Sequence, residues 1–288
     1  MENQFKIKEK NGKKYFFRFT VNQRFQHILL ATLVIVLVLT GMPLKFHQAA
    51  WAPYVYAFFG GIRVAPMVHK IAGTMLVLLF VYHLIYLVVT FYNGQVIPLR
   101  KKNELSLGRV LKRLVSHPIV PNLKDLKDII NLLKYLLFLT NKRPEGAVFT
   151  WKEKFDYWGP FWGIAIMGFS GLIMWKKELF TLILPGEAIN FALIAHSDEA
   201  LLAALFLFIW HFYNVHFSTS VFPMDTAFIT GYLSEDMMVE EHYQYYSEIM
   251  KASGFEDKIL PPHGFSKEKS KQGSATDNPV DVSDLPRV

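Results

Sequence analysis

Cysteine is absent from all 288 residues. That excludes disulfides, thiolate zinc sites, iron–sulfur clusters and the Cys-x-x-Cys-His attachment of c-type haem. Any redox centre in this chain is therefore held without a covalent bond. Charge is scarce too, at 19% of residues against 52% hydrophobic and 15% aromatic, which is too apolar for one ordinary soluble domain. The first 26 residues are polar and lysine-rich and carry no secretory hydrophobic region, so the first apolar run is expected to be a retained span. An internal repeat or interrupted helix pair of the transporter kind is also missing.

What is present is a chain built to lie in a bilayer. Four segments are apolar and long enough to cross, about residues 27–44, 66–92, 155–175 and 189–217, by the rule of roughly 20 residues per helical span. The formal net charge of +7 is unevenly spread. Seven Lys and Arg fall in residues 1–26 and thirteen in the connection 93–154, while the other two connections carry two each. This is the positive-inside pattern, which assigns both basic segments and both termini to the cytoplasm and removes the need for a nucleic-acid partner. The expected fold is thus an all-α, multi-pass integral membrane protein. It comprises a cytoplasmic N-terminal segment 1–26, a four-helix domain 27–217 and a cytoplasmic tail 218–288, the tail partly disordered by composition. Within the connection, Leu123, Leu126, Ile129, Ile130, Leu133, Leu136 and Leu137 recur at helical spacing beside lysines and aspartates, which predicts an amphipathic helix on the inner leaflet or against a partner.

The chemistry lies in the histidines. Ten occur, and His27, His69, His83, His196, His211 and His216 fall in or at the edge of spans, where ionisable side chains are costly and usually functional. On an ideal helix the fourteen residues from His69 to His83 come within about 40° of whole turns and span about 21 Å, so both share a face. The fifteen residues from His196 to His211 overshoot by about 60°, which a small bend or local unwinding absorbs. Spans two and four run in the same direction. His69 and His196 therefore lie at one level, near the outer surface, and His83 and His211 at the other, with His27 of span one brought to that inner level too. Two layers of facing imidazoles suit two stacked haems with bis-histidine ligation, and spacing alone pairs His83 with His211 at the inner level, with His27 nearby. His47, His117, His242 and His263 lie outside the spans and read as surface residues.

Several stretches together, Arg18-Phe19 through Arg24-x-x-His27, Thr40-Gly41, His69, Ser170-Gly171-Leu-Ile-Met-Trp175, His196 and His211-Phe-Tyr213, resemble the cytochrome b subunits of membrane formate dehydrogenases and nickel–iron hydrogenases. The runs EKFDYWGPFWG, HSDEALLA and HFYNVHF are most similar to a branch that often accompanies multihaem c-type cytochromes. The resemblance implies a two-haem subunit of the bacterial inner membrane. Such a subunit exchanges electrons between a quinone, menaquinone or ubiquinone, and a periplasmic iron–sulfur or multihaem c-type partner. It implies haem ligands at His69 and His196 on the outer side and His27 and His211 on the inner side, with His83 and His216 as alternates and as departures from the family pattern.

Glu153, Lys154 and Asp156, at the inner mouth of span three, are the candidates for a quinone site, since quinone reduction consumes protons beside an apolar slot. Arg63 and Lys70 are the candidates for haem propionates. Asp198 and Glu199 are the acids within a span that need a role, either beside a ligand imidazole or in a helix N-terminal turn. Two other classes fit the bare pattern: a transporter using these groups as a proton relay, and a haem-free membrane anchor. The first is colourless, and the second tolerates alanine at His69 and His196.

Overall fold

The computed structural model describes residues 7–141 and 145–261. In chain order the elements are β1 (Ile7–Lys10), β2 (Lys13–Phe17), α1 (Val21–Lys45), α2 (Ala52–Phe58), α3 (Ala65–Phe91), α4 (Ile97–Lys101), α5 (Leu107–Val115), α6 (Leu123–Leu136), α7 (Trp151–Trp175), α8 (Lys177–Phe180), α9 (Glu187–Leu205), α10 (Ala227–Thr230), β3 (Tyr232–Ser234), α11 (Glu235–Glu241) and α12 (Tyr243–Ala252). Wide π-helical turns follow α3 at Tyr92–Val96 and α9 at Phe206–His211 and Tyr213–Phe217. The chain divides into two compact units. One comprises residues 1–21, 93–155 and 216–288, and the other 22–92 and 156–215.

The second unit carries the spans. Four helices are long and apolar enough to cross a membrane: Val21–Lys45, Ala65–Lys101, Trp151–Trp175 and Glu187–Phe217. Each begins earlier or ends later than its apolar run, because polar turns at the ends of a helix remain helical while leaving the hydrocarbon. Pro43 lies in the last turn of the first span. Asn93-Gly94 sits inside the π turn that carries the second span on to Lys101. Leu33, Ala72 and Leu76 form the buried seam, packed with Leu29, Leu37 and Ile164. Leu78, Val88, Phe169, Phe191 and Phe208 are exposed, far more apolar surface than a water-soluble face carries, as lipid-facing positions require.

The other unit departs from a purely helical reading. Asn11 and Gly12 both take positive φ, 54° and 72°, forming the two-residue turn that joins β1 to β2, with Lys10 opposite Lys13 and Ile7 opposite Phe16. β3 pairs antiparallel with β2, giving the sheet order β1-β2-β3. Phe16 of that sheet packs edge-on against Tyr246 at 5.6 Å, in a core shared with Leu233, Met238, Val239, Ile249 and Met250. The segment after 218 is thus folded as far as Pro261 wherever it supplies these core residues. The disorder expected beyond Pro261 lies outside the described residues. The predicted amphipathic helix is α6, opened by a capping box between Asn122 and Asp125.

Two histidine pairs as the candidate cofactor site

In the span-bearing unit the structure brings four of the predicted histidines together as two pairs. The rings of His69 (α3) and His196 (α9) stand 6.2 Å apart between centroids, crossing at 73°. Those of His27 (α1) and His211, at the end of the first π turn, stand 6.3 Å apart at 44°. The π turn Phe206–His211 lies between His196 and His211. A wide turn takes up an extra residue, so the fifteen-residue spacing still presents both rings to partners.

Hydrogen bonds set the orientation of the His69–His196 pair. Thr40 Oγ1 donates its single hydrogen to the Val36 carbonyl at 2.7 Å, so it accepts from His69 Nδ1 at 2.9 Å. The Leu37 backbone carbonyl also faces this ring. On α7 the arrangement repeats: Ser170 Oγ donates to the Ile166 carbonyl at 2.7 Å and accepts from His196 Nδ1 at 3.1 Å, with the Met167 carbonyl also at 3.1 Å. Both imidazoles therefore carry their proton on Nδ1. Their Nε2 lone pairs, the ones a metal needs, are left for the gap.

The residue after each hydroxyl is glycine, and a Cβ there would lie 3.0 Å from His69 Cε1 at Gly41 and 3.1 Å from His196 Cε1 at Gly171. Carbon atoms prefer about 3.5–4.0 Å, so the rings occupy space that any side chain would take. Thr40-Gly41 and Ser170-Gly171 are thus the two halves of one cradle.

The separations fit a metal between the rings. Two metal–imidazole bonds of about 2 Å in line, with the rings' own radii of a little over 1 Å, put ring centres about 6 Å apart. Each pair would offer two imidazole nitrogens to a haem iron, a group that brings its other nitrogen ligands with it. Among the described residues no group of three or more His, Asp or Glu offers a set for a bare metal ion.

The sequence profile of the prokaryotic cytochrome b561 family matches residues 18–222, well over half of the chain and all four spans. The chain belongs to the prokaryotic cytochrome b561 family. Membership makes it a membrane b-type cytochrome, a carrier of electrons through non-covalent haem. No curated protein matches the chain.

The remaining predicted residues fall in other surroundings. His83 meets Gln26 and Tyr157 by hydrogen bonds and Tyr86 by ring contact. His216 lies in the second π turn against Phe217. Asp156 Oδ2 stands 3.5 Å from His211 Nδ1. Arg63 is exposed in the turn before α3, and Lys70 lies 5.9 Å from the Trp175 ring. Asp198 pairs with Lys45 at 2.7 Å, and Glu199 sits against Gly163. Both lie mid-helix in α9, so the N-terminal-turn reading of these acids does not hold.

Glu153 and Lys154, in the other unit, are fully engaged by protein. Glu153 forms a capping box with Thr150, receiving its backbone N–H at 2.8 Å and hydroxyl at 3.0 Å, and accepts from Arg18 at 2.7 Å. Lys154 Nζ donates to both oxygens of Asp125 at 2.9 Å and to the Val120 carbonyl at 3.3 Å. His242, expected on the surface, is 4% exposed, donates from Nδ1 to the Ala147 carbonyl at 2.9 Å and points Nε2 at Glu153. His47 is exposed and His117 half-buried, and His263 lies outside the described residues.

The Thr-x-x-Glu and Asn-Gly signals for these local structures were available in the sequence. Nothing in the sequence marked Gln26 or Tyr157 as functional. Their positions one residue from His27 and Asp156 were the available clue.

Proposed function

We propose that this chain is a dihaem cytochrome b subunit of a bacterial inner-membrane respiratory complex, exchanging electrons between a membrane quinone and a redox partner at the periplasmic face. The observation that carries the reading is the pair of ring separations, 6.2 and 6.3 Å, repeated in one four-helix unit. Positive charge concentrated in residues 1–26 and 93–154 supports cytoplasmic termini, with His69 and His196 on the periplasmic side and His27 and His211 on the cytoplasmic side. When bound, two b-type haems supply one-electron chemistry at two depths of the bilayer.

The chain's own residues do the rest. His69 and His196 offer Nε2 because Thr40 and Ser170 hold their Nδ1 protons. His27 and His211 form the second pair, with Asp156 beside His211 to orient that ring. Two imidazoles at each site would leave a bound haem iron no open position for oxygen, which favours electron transfer over oxygen chemistry. Arg63 and Lys70, near the start of α3, are the cations available to propionates on the periplasmic side. Asp156 remains the quinone-side acid among the three candidates, since Glu153 and Lys154 are held by fold-building ion pairs.

The deciding experiment is a pyridine haemochrome count with a reduced-minus-oxidised spectrum on purified protein. Two b haems are expected in the wild type, one in each of His27→Ala, His69→Ala, His196→Ala and His211→Ala, and two in His83→Ala. Loss of a haem with His83→Ala but not His27→Ala would overturn the second pair, and folded wild type without haem would overturn the function.

A further inference from the structure

The histidine pairs leave one intramembrane polar cluster unused, Gln26, His83 and Tyr157, all within the span-bearing unit. The amide oxygen of Gln26 stands 2.8 Å from His83 Nδ1 and only accepts, so Nδ1 carries the proton. His83 Nε2 is then an acceptor, and it receives the Tyr157 hydroxyl at 3.0 Å. The direction of the chain is fixed from Tyr157 through His83 to Gln26. What it leaves over is the Gln26 amide nitrogen, on a side chain 7% exposed, buried and with no hydrogen-bond partner. Buried donors without acceptors are costly and uncommon in native proteins, most of all inside an apolar span.

The surroundings indicate what would satisfy that donor. Tyr86 lies 6.5 Å from the His83 ring and Phe161 6.1 Å from Tyr157, so flat aromatic faces border the cluster. His83 and Tyr157 are themselves half-buried, so the cluster is not sealed on their side. A ligand suited to this place offers an acceptor oxygen to the Gln26 amide and a flat face to the neighbouring rings. Gln26 also adjoins His27, whose ring faces His211, so such a ligand would sit beside the proposed second pair.

We infer that Gln26, with the Tyr157–His83 pair that orients its amide, is the hydrogen-bonding site for a quinone headgroup carbonyl in this protein. The inference rests on the dihaem, quinone-exchanging reading above and assigns that exchange to residues other than Glu153 and Lys154. Gln26 is the binding residue and His83 a positioning residue. Tyr157 fixes the His83 tautomer.

The test uses full-length, haem-loaded protein and two probes, the quinone analogue 2-heptyl-4-hydroxyquinoline N-oxide for binding and menadiol for reduction. Each menadiol is oxidised to menadione, reducing two ferric haems and releasing two protons. Gln26→Leu and His83→Leu are expected to weaken analogue binding at least tenfold and slow reduction by menadiol, while dithionite still reduces two haems. Tyr157→Phe is expected to weaken binding less, and His83→Gln, which keeps an amide for Gln26, to recover part of it.

Unchanged binding in Gln26→Leu and His83→Leu, with wild type active, would overturn this site and leave quinone exchange standing. Haem-loaded wild type that neither binds the analogue nor accepts electrons from menadiol would overturn quinone exchange itself. If the variants lose haem, photolabelling of wild type with an azidoquinone decides: label on the segments around Gln26, His83 and Tyr157 supports the site, and label confined elsewhere refutes it.

Discussion

Alanine at Gly41 separates a cradle for His69 from an ordinary small residue in a helix. A Cβ there would lie 3.0 Å from His69 Cε1 and 3.5 Å from Nδ1, where carbon contacts prefer about 3.5–4.0 Å. The ring must retreat by several tenths of an ångström, against a hydrogen bond to Thr40 on one side and His196 on the other. Overpacking of this size costs about 1–3 kcal/mol, which corresponds to roughly 5- to 150-fold in affinity at about 1.4 kcal/mol per decade. Replacing glycine inside a helix also stabilises that helix by about 1 kcal/mol. That gain is present with and without haem, so it cancels in haem binding and appears only in unfolding.

The expected outcome for Gly41→Ala is a folded protein that transfers haem to apomyoglobin about 5- to 150-fold more readily than wild type. Gly171→Ala, where the approach to His196 Cε1 is 3.1 Å, should behave alike. Gly73→Ala is the control: its Cβ would meet only Leu37, at an ordinary 3.8 Å. Equal haem retention in Gly41→Ala and wild type would refute the cradle, as would a larger loss in Gly73→Ala.

Thr40→Val, which keeps the shape and loses the acceptor, leaves His69 only the Leu37 carbonyl; a cost of about 1 kcal/mol, roughly fivefold in haem affinity, is expected, with Thr40→Ser restoring it. Its redox titration should show the affected haem at a higher potential, because a less basic imidazole stabilises ferric iron less. Arg18→Leu strands Glu153 beside His242 and is expected to lower the stability of its unit by about 3–5 kcal/mol, measured by limited proteolysis, with the haem spectrum unchanged. Burial holds the His242 imidazole below its ordinary value although the Glu153 carboxylate opposes this, so the folded unit binds fewer protons than the unfolded chain below about pH 6.5. Its contribution is therefore full above that pH and lost as pH falls, by at most about 1.4 kcal/mol per unit. Proteolysis at pH 7.5 and 5.5 should show a smaller loss in His242→Gln than in wild type, and equal losses would contradict this.

The spans were readable because a bilayer imposes a long apolar run that no local choice overrides. Less readable was the unit built from three separated segments. Residues 1–26 are lysine-rich and looked featureless, yet Asn11-Gly12 is a strong hairpin signal and Phe16 supplies the strand's buried face. The segment after 218 averages out as polar, while Leu233, Met238, Val239, Tyr246 and Met250 are spaced to bury one side of it. Average composition hides such spacing. Glu153 looked functional by position, but the Thr-x-x-Glu pattern with Arg18 in reach makes it a capping residue.

The two histidine pairs differ in how far the sequence encodes them. For His69 and His196 each half of the cradle is local: a carbonyl, a hydroxyl three residues on and a glycine next to it, written once on α1 as Leu37, Thr40 and Gly41 and again on α7 as Met167, Ser170 and Gly171. Such a pattern depends only on helical geometry and can be read without a fold. The register of His211 depends on a π turn at Phe206–His211, for which no residue preference is decisive, and ideal helical arithmetic therefore pairs it with His83 where the structure has His27. With the turn in place, His27 faces His211, and His83 is turned toward Gln26 and Tyr157, a polar cluster beside that pair. A single extra residue in one helix thus decides which histidine faces His211 and which is left to Gln26 and Tyr157.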